Sequence, residues 1–228
     1  MPEPGDPGSP AATVILLRDT PQGLETLLLH RNTKADFAGG MAVFPGGRVD
    51  DDDWVGIPAG DDLGAARVAA ARETHEEAGL VIDPGALVAH SHWQPPLNAP
   101  KRFLTWFFVA NAPDAVVAID GAEIVDHVWM RPVDALEQHA TGSLDLMPPT
   151  FVTLTSLAGF DKASEVIEDA GGRTPPAFMA EIHRDDDGAI FLFEGDAARD
   201  EPLDFDRPGR RRRLHMTTVK PWRWEESD

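Results

Sequence analysis

Residues 63–78 read LGAARVAAARETHEEA, and no other stretch of the chain leaves so little choice of local structure. Alanine is the strongest helix former because it loses no side-chain entropy in a helix. Asp61 or Asp62 can cap the first free N–H groups, and Gly79 stands where a left-handed residue ends a helix. Within that helix Glu73, Glu76 and Glu77 fall at offsets of three and four, on one face. Like charges so placed destabilise a helix by about 0.2–0.5 kcal/mol per pair. A divalent cation would offset the repulsion, and Mg²⁺ or Mn²⁺ prefers hard oxygen ligands of this kind.

The segments around the helix read mainly as strands. ATVILLRD (12–19) and LETLLLHR (24–31) flank the turn TPQG and predict a hairpin. MAVFPGG (41–47) predicts a strand ending in a glycine turn, where Gly46 and Gly47 let the backbone approach a metal or a phosphate. The acidic RVDDDDWVGIPAGDD, with Gly56, Pro58 and Gly60, predicts a loop over about 50–62. ALVAHSHW (86–93) and RFLTWFFVA (102–110) predict strands, EIVDHVWM (123–130) another, and PVDALEQHA (132–140) a helix opened by proline. Beyond residue 146 two helices are expected, then a hairpin about DDG (186–188). The expected organisation is a flexible tail over 1–10, an α/β domain over 11–145, and an extension over 146–228 packed on it.

A net charge of −19 lacks the basic footprint that nonspecific nucleic-acid binding needs. No apolar run approaches the roughly 20 residues that cross a bilayer. The chain has no cysteine, hence no disulfide or thiolate metal site, and its opening MPEPGDPGSP lacks the regions of a signal peptide. The expected location is the cytoplasm, with no nucleic-acid or membrane partner. One strongly basic run, RPGRRRRLH (207–215), stands out in this acidic chain and suggests an electrostatic contact within or between subunits. His30, His75, His90 and His92 read as packed or surface side chains rather than ligands.

RETHEEAGL (72–80) resembles the end of the Nudix box, G-x5-E-x7-R-E-U-x-E-E-x-G-U with U aliphatic. Arg72, Glu73, Glu76, Glu77, Gly79 and Leu80 match, and FPGG (44–47) supplies the opening glycine at Gly46. Thr74 takes an aliphatic position. Gly46 and Arg72 are 26 positions apart where the pattern has 14, so a 12-residue insertion interrupts the box. The first glutamate of the box has no clear counterpart: Gly64 falls at its spacing counted back from Arg72, Asp52 counted forward from Gly46.

The resemblance implies a Nudix fold of α/β (α+β) class, a mixed β-sheet sandwiched between helices, here with a helical and hairpin extension. It implies a diphosphatase acting on a nucleoside diphosphate-linked small molecule with Mg²⁺ or Mn²⁺, and at family level a homodimer. Glu76 and Glu77 would bind metal, with Gly46 in the metal site; Glu73 would help bind metal or orient water, and Arg72 would hold Glu73 by a charge-assisted hydrogen bond, both as catalytic residues. Glu123 is the candidate general base, or a further metal ligand, with an exposed strand-edge role as the alternative. LLLHRNTKADFAGGMAVFPGG (27–47) is similar to the coenzyme A diphosphatase signature, with Asp36 in place of its second arginine. FPGG, DDDW and WQPPLNAPKRFLTWFF (93–108) resemble the acyl-CoA-cleaving branch, although the terminal EESD is not that branch's peroxisomal address. Arg31, Gly47, Lys101 and Arg102 are the expected substrate contacts. ADP-ribose, NADH and nucleoside-diphosphate sugars are the alternative substrates, and a nucleotide-binding module without activity is the alternative of another class.

Overall fold

The computed structural model describes residues 8–34, 38–96, 99, 102–200, 202–218 and 221–227. Its centre is a mixed sheet built on β1 (Ser9–Thr20), whose apolar run alternates between two buried faces. Ala12, Val14 and Leu16 point to one core, Ile15 and Leu17 to the other. Strands buried on both faces read as continuous hydrophobic runs, which is why ATVILL shows no polar alternation.

β1 turns into β2 (Gly23–Arg31), with Thr20 opposite Gly23 in the antiparallel register. β3 (Ala42–Val43) edges β2, and β4 (Gly46–Arg48) pairs antiparallel with the first half of β1, Thr13 facing Gly46. On the other side β1 runs parallel to β6 (Phe103–Asn111), which pairs with β5 (Val88–Gln94). β7 (Ile124–Met130) returns to pair with β2.

One face of the sheet is covered by α1 (Asp62–Ala78). Ala66, Ala69 and Ala70 let it lie close against Val14, Leu16 and Phe108. The Gly64 N–H donates to Asp61 Oδ1 at 2.9 Å, and Gly79, at φ +69°, ends the helix by donating to the His75 carbonyl. Thr74, fully buried, packs its methyl and donates its hydroxyl to the Ala70 carbonyl at 2.7 Å.

The opposite face is covered by α2 (Pro132–Ala140), α3 (Pro148–Leu157) and α4 (Ala163–Gly172). β8 (Ala177–Met179) then joins the main sheet parallel to β5. β9 (Glu181–Asp185) and β10 (Gly188–Leu192) form the expected hairpin, and β11 (Arg211–Thr217) and β12 (Arg223–Ser227) extend it to a second, four-stranded sheet.

Two expectations need correction. Ser9 and Pro10 belong to β1, because the parallel register with β6 begins at Ser9 opposite Phe103; residues 1–7 of the expected tail lie outside the described residues. The acidic insertion is not wholly loop, since Asp51–Trp54 forms a 3-10 turn with Asp53 buried. The basic run 207–215 makes a contact of the expected kind within the chain: its second half lies in β11, and Arg213 pairs with Asp196. Among the described residues no helix is long and apolar enough to cross a membrane.

Candidate active site on the glutamate helix

The last two turns of α1 face the β4 glycine turn. Gly46 sits at φ +155°, and a Cβ there would lie 2.3 Å from the Ala12 carbonyl oxygen, so only glycine lets β4 run this close to β1. A Cβ on Gly47 would lie 2.4 Å from the Glu73 carboxylate. The two glycines thus make room for β1 and for Glu73, while the Gly46 N–H donates to Glu77 Oε2 at 2.9 Å.

Glu77 is 5% exposed. Burial pushes its carboxyl up to about 7, against the pull of the Gly46 N–H and of Arg31, with Glu73 and Asp120 adding repulsion. Arg31 Nη1 stands 3.6 Å from Glu77 Oε1, and the same guanidinium pairs with Glu123. Glu123 is set in place by a small turn: its N–H and that of Ile124 both donate to Asp120, each at 2.9 Å. Asn32 N–H donates to the Glu123 carbonyl at 2.8 Å. Arg31 therefore ties the loop before β7 to the glutamate face of α1.

Arg72 organises the other two glutamates. Its Nη1 donates to Glu73 Oε1 at 2.9 Å and to Glu76 Oε2 at 3.1 Å, and its Nη2 to the Arg48 carbonyl at 2.9 Å. The remaining edge of the fork takes Asp53: Nε donates to Oδ1 at 3.0 Å and Nη2 to Oδ2 at 2.8 Å. Asp53 is 2% exposed and also accepts the Asp50 N–H at 2.8 Å. Bidentate arginine–carboxylate pairs are the strong, geometrically specific ones. This one, outweighing burial, holds the Arg72 guanidinium above its ordinary value. Burial raises the Glu73 carboxyl despite Arg72 beside it. Glu76 is half exposed.

The insertion thus delivers an acid to Arg72 from a position that neither spacing count reaches. The only trace in the sequence is the run Asp50–Asp53 itself, one member of which the fold buries.

Of the expected substrate contacts, Arg31 and Gly47 lie in this site. Arg102 precedes β6, buried, its Nε donating to the Pro95 carbonyl at 3.4 Å and its own carbonyl accepting from Ser9 N–H. Lys101 and Asp36 lie outside the described residues. Among the histidines, burial lowers His90 to about 4, and His92 stacks on Trp106 at 4.2 Å.

The donor set suits a hard divalent cation: carboxylate oxygens only, one group of them buried, raised by that burial and, among the described residues, served by a single N–H at hydrogen-bonding distance. Here Arg72 and Arg31 take up much of that negative charge. Among the described residues no group of three or more His, Cys, Asp or Glu side chains is already gathered to hold a metal.

A NUDIX domain model matches residues 8–148, well over half of the chain. "Putative nudix hydrolase 7" of Caenorhabditis elegans is 27% identical over 184 residues, 65% of this chain and 60% of that protein. "Acyl-coenzyme A diphosphatase NUDT19" of Xenopus laevis is 29% identical over 120 residues, 49% of this chain and 31% of that protein. The chain thus spans less than two thirds of the length of either curated relative. A NUDIX hydrolase crystal structure from Alicyclobacillus acidocaldarius superposes with a TM-score of 0.64 at 24% identity, covering 71% of this chain and 96% of that one, a likeness of fold.

Proposed function

Given that the chain belongs to the Nudix family, we propose that it hydrolyses the phosphoanhydride bond of a nucleoside diphosphate-linked small molecule, with coenzyme A or an acyl-CoA as the first substrates to test. The observation that carries the proposal is Glu77, buried beside like charge and aimed at the Gly46 amide, a costly arrangement that a bound cation would relieve.

Glu73, Glu76 and Glu77 would hold Mg²⁺ or Mn²⁺, which when bound supplies positive charge against the diphosphate and a more acidic water. The rest falls to the chain. Arg72 holds Glu73 and Glu76 in one orientation, and the Gly46 amide fixes Glu77. Arg31, between Glu77 and Glu123, is placed to exchange a carboxylate for a substrate phosphate oxygen. Glu123, released from Arg31 by that exchange, takes the proton of the attacking water as a new P–O bond forms and the bridging P–O bond breaks. Asp120 fixes the backbone that carries Glu123.

The coenzyme A assignment rests on the segments 27–47 and 93–108 and on the similarity to the Xenopus protein over about half of this chain. ADP-ribose, NADH and nucleoside-diphosphate sugars remain the rival substrates. A homodimer in the cytoplasm belongs to the same proposal, with light scattering as its test.

Glu77→Gln should lower turnover on the best substrate by about 10³-fold, the scale of removing a main electrostatic contributor, with an unchanged circular dichroism spectrum. The panel is CoA, acetyl-CoA, ADP-ribose, NADH and UDP-glucose, each with Mg²⁺ and Mn²⁺. Wild-type turnover in the variant would overturn the site. The pairing of all three helix glutamates with arginine or backbone partners favours a second reading, a module that binds nucleotides without cleaving them. Tight calorimetric binding of a panel member with no product under Mn²⁺ would select it.

A further inference from the structure

On the sheet face opposite α1, a cavity of about 320 Å³ opens between β5, α3, β8 and the second sheet. Ligand pockets start at about this size. Trp93, stacked on Phe178 at 4.1 Å, forms an aromatic wall, with Trp224 beside it. Arg173 and Arg212 line the polar side together with Ser91 and Thr153.

The lining is rich in donors and poor in negative charge. Guanidinium and indole groups can only donate, and hydroxyls can do either. Among the described residues the one carboxylate in the lining is Glu226, on β12, its side chain half exposed. Arg212 is 8% exposed and lies over Phe178, 4.3 Å from the ring centre. Its Nη1 donates to the Ala177 carbonyl at 3.2 Å and to that of Glu194 at 3.5 Å, while its Nε, among the described residues, makes no hydrogen bond and only a loose ion pair with Glu226 Oε1 at 3.5 Å. Trp93 Nε1, also buried, likewise has no hydrogen-bond partner among the described residues. Burial lowers Arg212 from its ordinary value, and Glu226 offsets this only in part. His90, held neutral by burial, adds no charge of its own. Arg173 spends one nitrogen on Asp169 and one on the His90 carbonyl. A buried cation with an unmet donor, in a donor-rich cavity with a loosely placed carboxylate, is arranged to receive an oxyanion.

The geometry points to a second binding site: the cavity takes the phosphate or carboxylate group of a small molecule on Arg212 and Arg173, in place of Glu226. Glu226 acts there as an internal competitor. The site uses none of the side chains of the glutamate helix and does not depend on the activity proposed for it.

The test is isothermal titration of the full chain in EDTA with inorganic phosphate and, separately, with acetate. A saturable signal is expected with at least one of them, and the tighter of the two identifies a phosphoryl or a carboxylate ligand. Arg212→Gln and Arg173→Gln should each weaken binding by about tenfold or more, the scale of one charge-assisted hydrogen bond. Glu226→Gln should tighten it several-fold, a sign that general loss of structure cannot produce. If Arg212→Gln does not fold by circular dichroism, the more exposed Arg173→Gln and Glu226→Gln carry the test. No saturable signal with either anion, or binding unchanged in the folded variants, overturns the site.

Discussion

Two buried carboxylates, Glu77 on α1 and Asp196 beside the second sheet, show opposite solutions to the same problem. Asp196 has every oxygen served. Arg213 donates Nε to Oδ2 at 2.8 Å and Nη2 to Oδ1 at 2.6 Å, while the N–H groups of Arg212 and Ala198 donate at 2.8 and 2.9 Å. Burial alone would raise its carboxyl, yet these bonds outweigh it and hold it below the ordinary value. Glu77 has one backbone N–H and an arginine 3.6 Å away, and its carboxyl rises to about 7. A carboxylate with all its bonds made is a strut. One left short of partners, among like charges, can gain from a cation.

The strongest way to break that contrast is Asp196→Ala. It leaves Arg213 buried without its counter-ion, and losing one member of such a pair costs about 3–5 kcal/mol. Urea melts should show that loss. A change within about 0.5 kcal/mol, the range of ordinary surface substitutions, would mean the pair is not the strut it looks to be.

Next in size is the response to pH, where the two acids carry opposite signs. Glu77, raised in the folded state, binds its proton more tightly there than in the unfolded chain. Its ionisation therefore costs stability as pH rises from about 4.5 to about 7. By pH 8 in EDTA the cost reaches about 3 kcal/mol, and Glu77→Gln should recover much of it, with Mn²⁺ narrowing the gap. Asp196, held low, contributes stability that is present above its unfolded value and lost only as pH falls through the folded one. Denaturation midpoints of wild type and Glu77→Gln, compared at pH 5 and pH 8, check the sign; a gap that does not widen with pH contradicts the under-served carboxylate.

How far each region was legible follows from where its partners sit in the chain. The glutamate helix was open to view because its caps, its alanine face and its three acids are local, and the strands on either side carry their own apolar runs. The second sheet was half visible: the hairpin about residues 186–188 has its turn in the sequence, but β11 reads RRRLHMT, a basic stretch that calls for a partner without naming one. Asp196, some 17 residues before Arg213, is what makes that arginine interior, and no periodicity announces a partner at that range. β8 has three residues, too short for any pattern. Arg31 and Glu123 meet across 92 positions, so Glu123 could be nominated only through resemblance. Asp53 escaped because an insertion had broken the spacing and all four residues from 50 to 53 are aspartates.

That last residue sharpens the contrast most finely, since it lies inside the site yet is served like Asp196. Asp53 is buried, bidentate to Arg72 and capped by the Asp50 amide. It touches none of the three helix glutamates through any of these bonds; its effect on them must pass through Arg72, which is shared with Glu73 and Glu76. Asp53→Asn keeps the shape and an acceptor but gives up the charge, so Arg72 should turn further toward the glutamates. Turnover should fall by about 10–100-fold, the cost of misplacing a group by a fraction of an ångström to an ångström, with KM little changed, and Asp53→Glu should restore part of it. Loss of stability with normal turnover per folded molecule would instead make Asp53 a second Asp196, a strut that happens to stand beside the site rather than one that aims it.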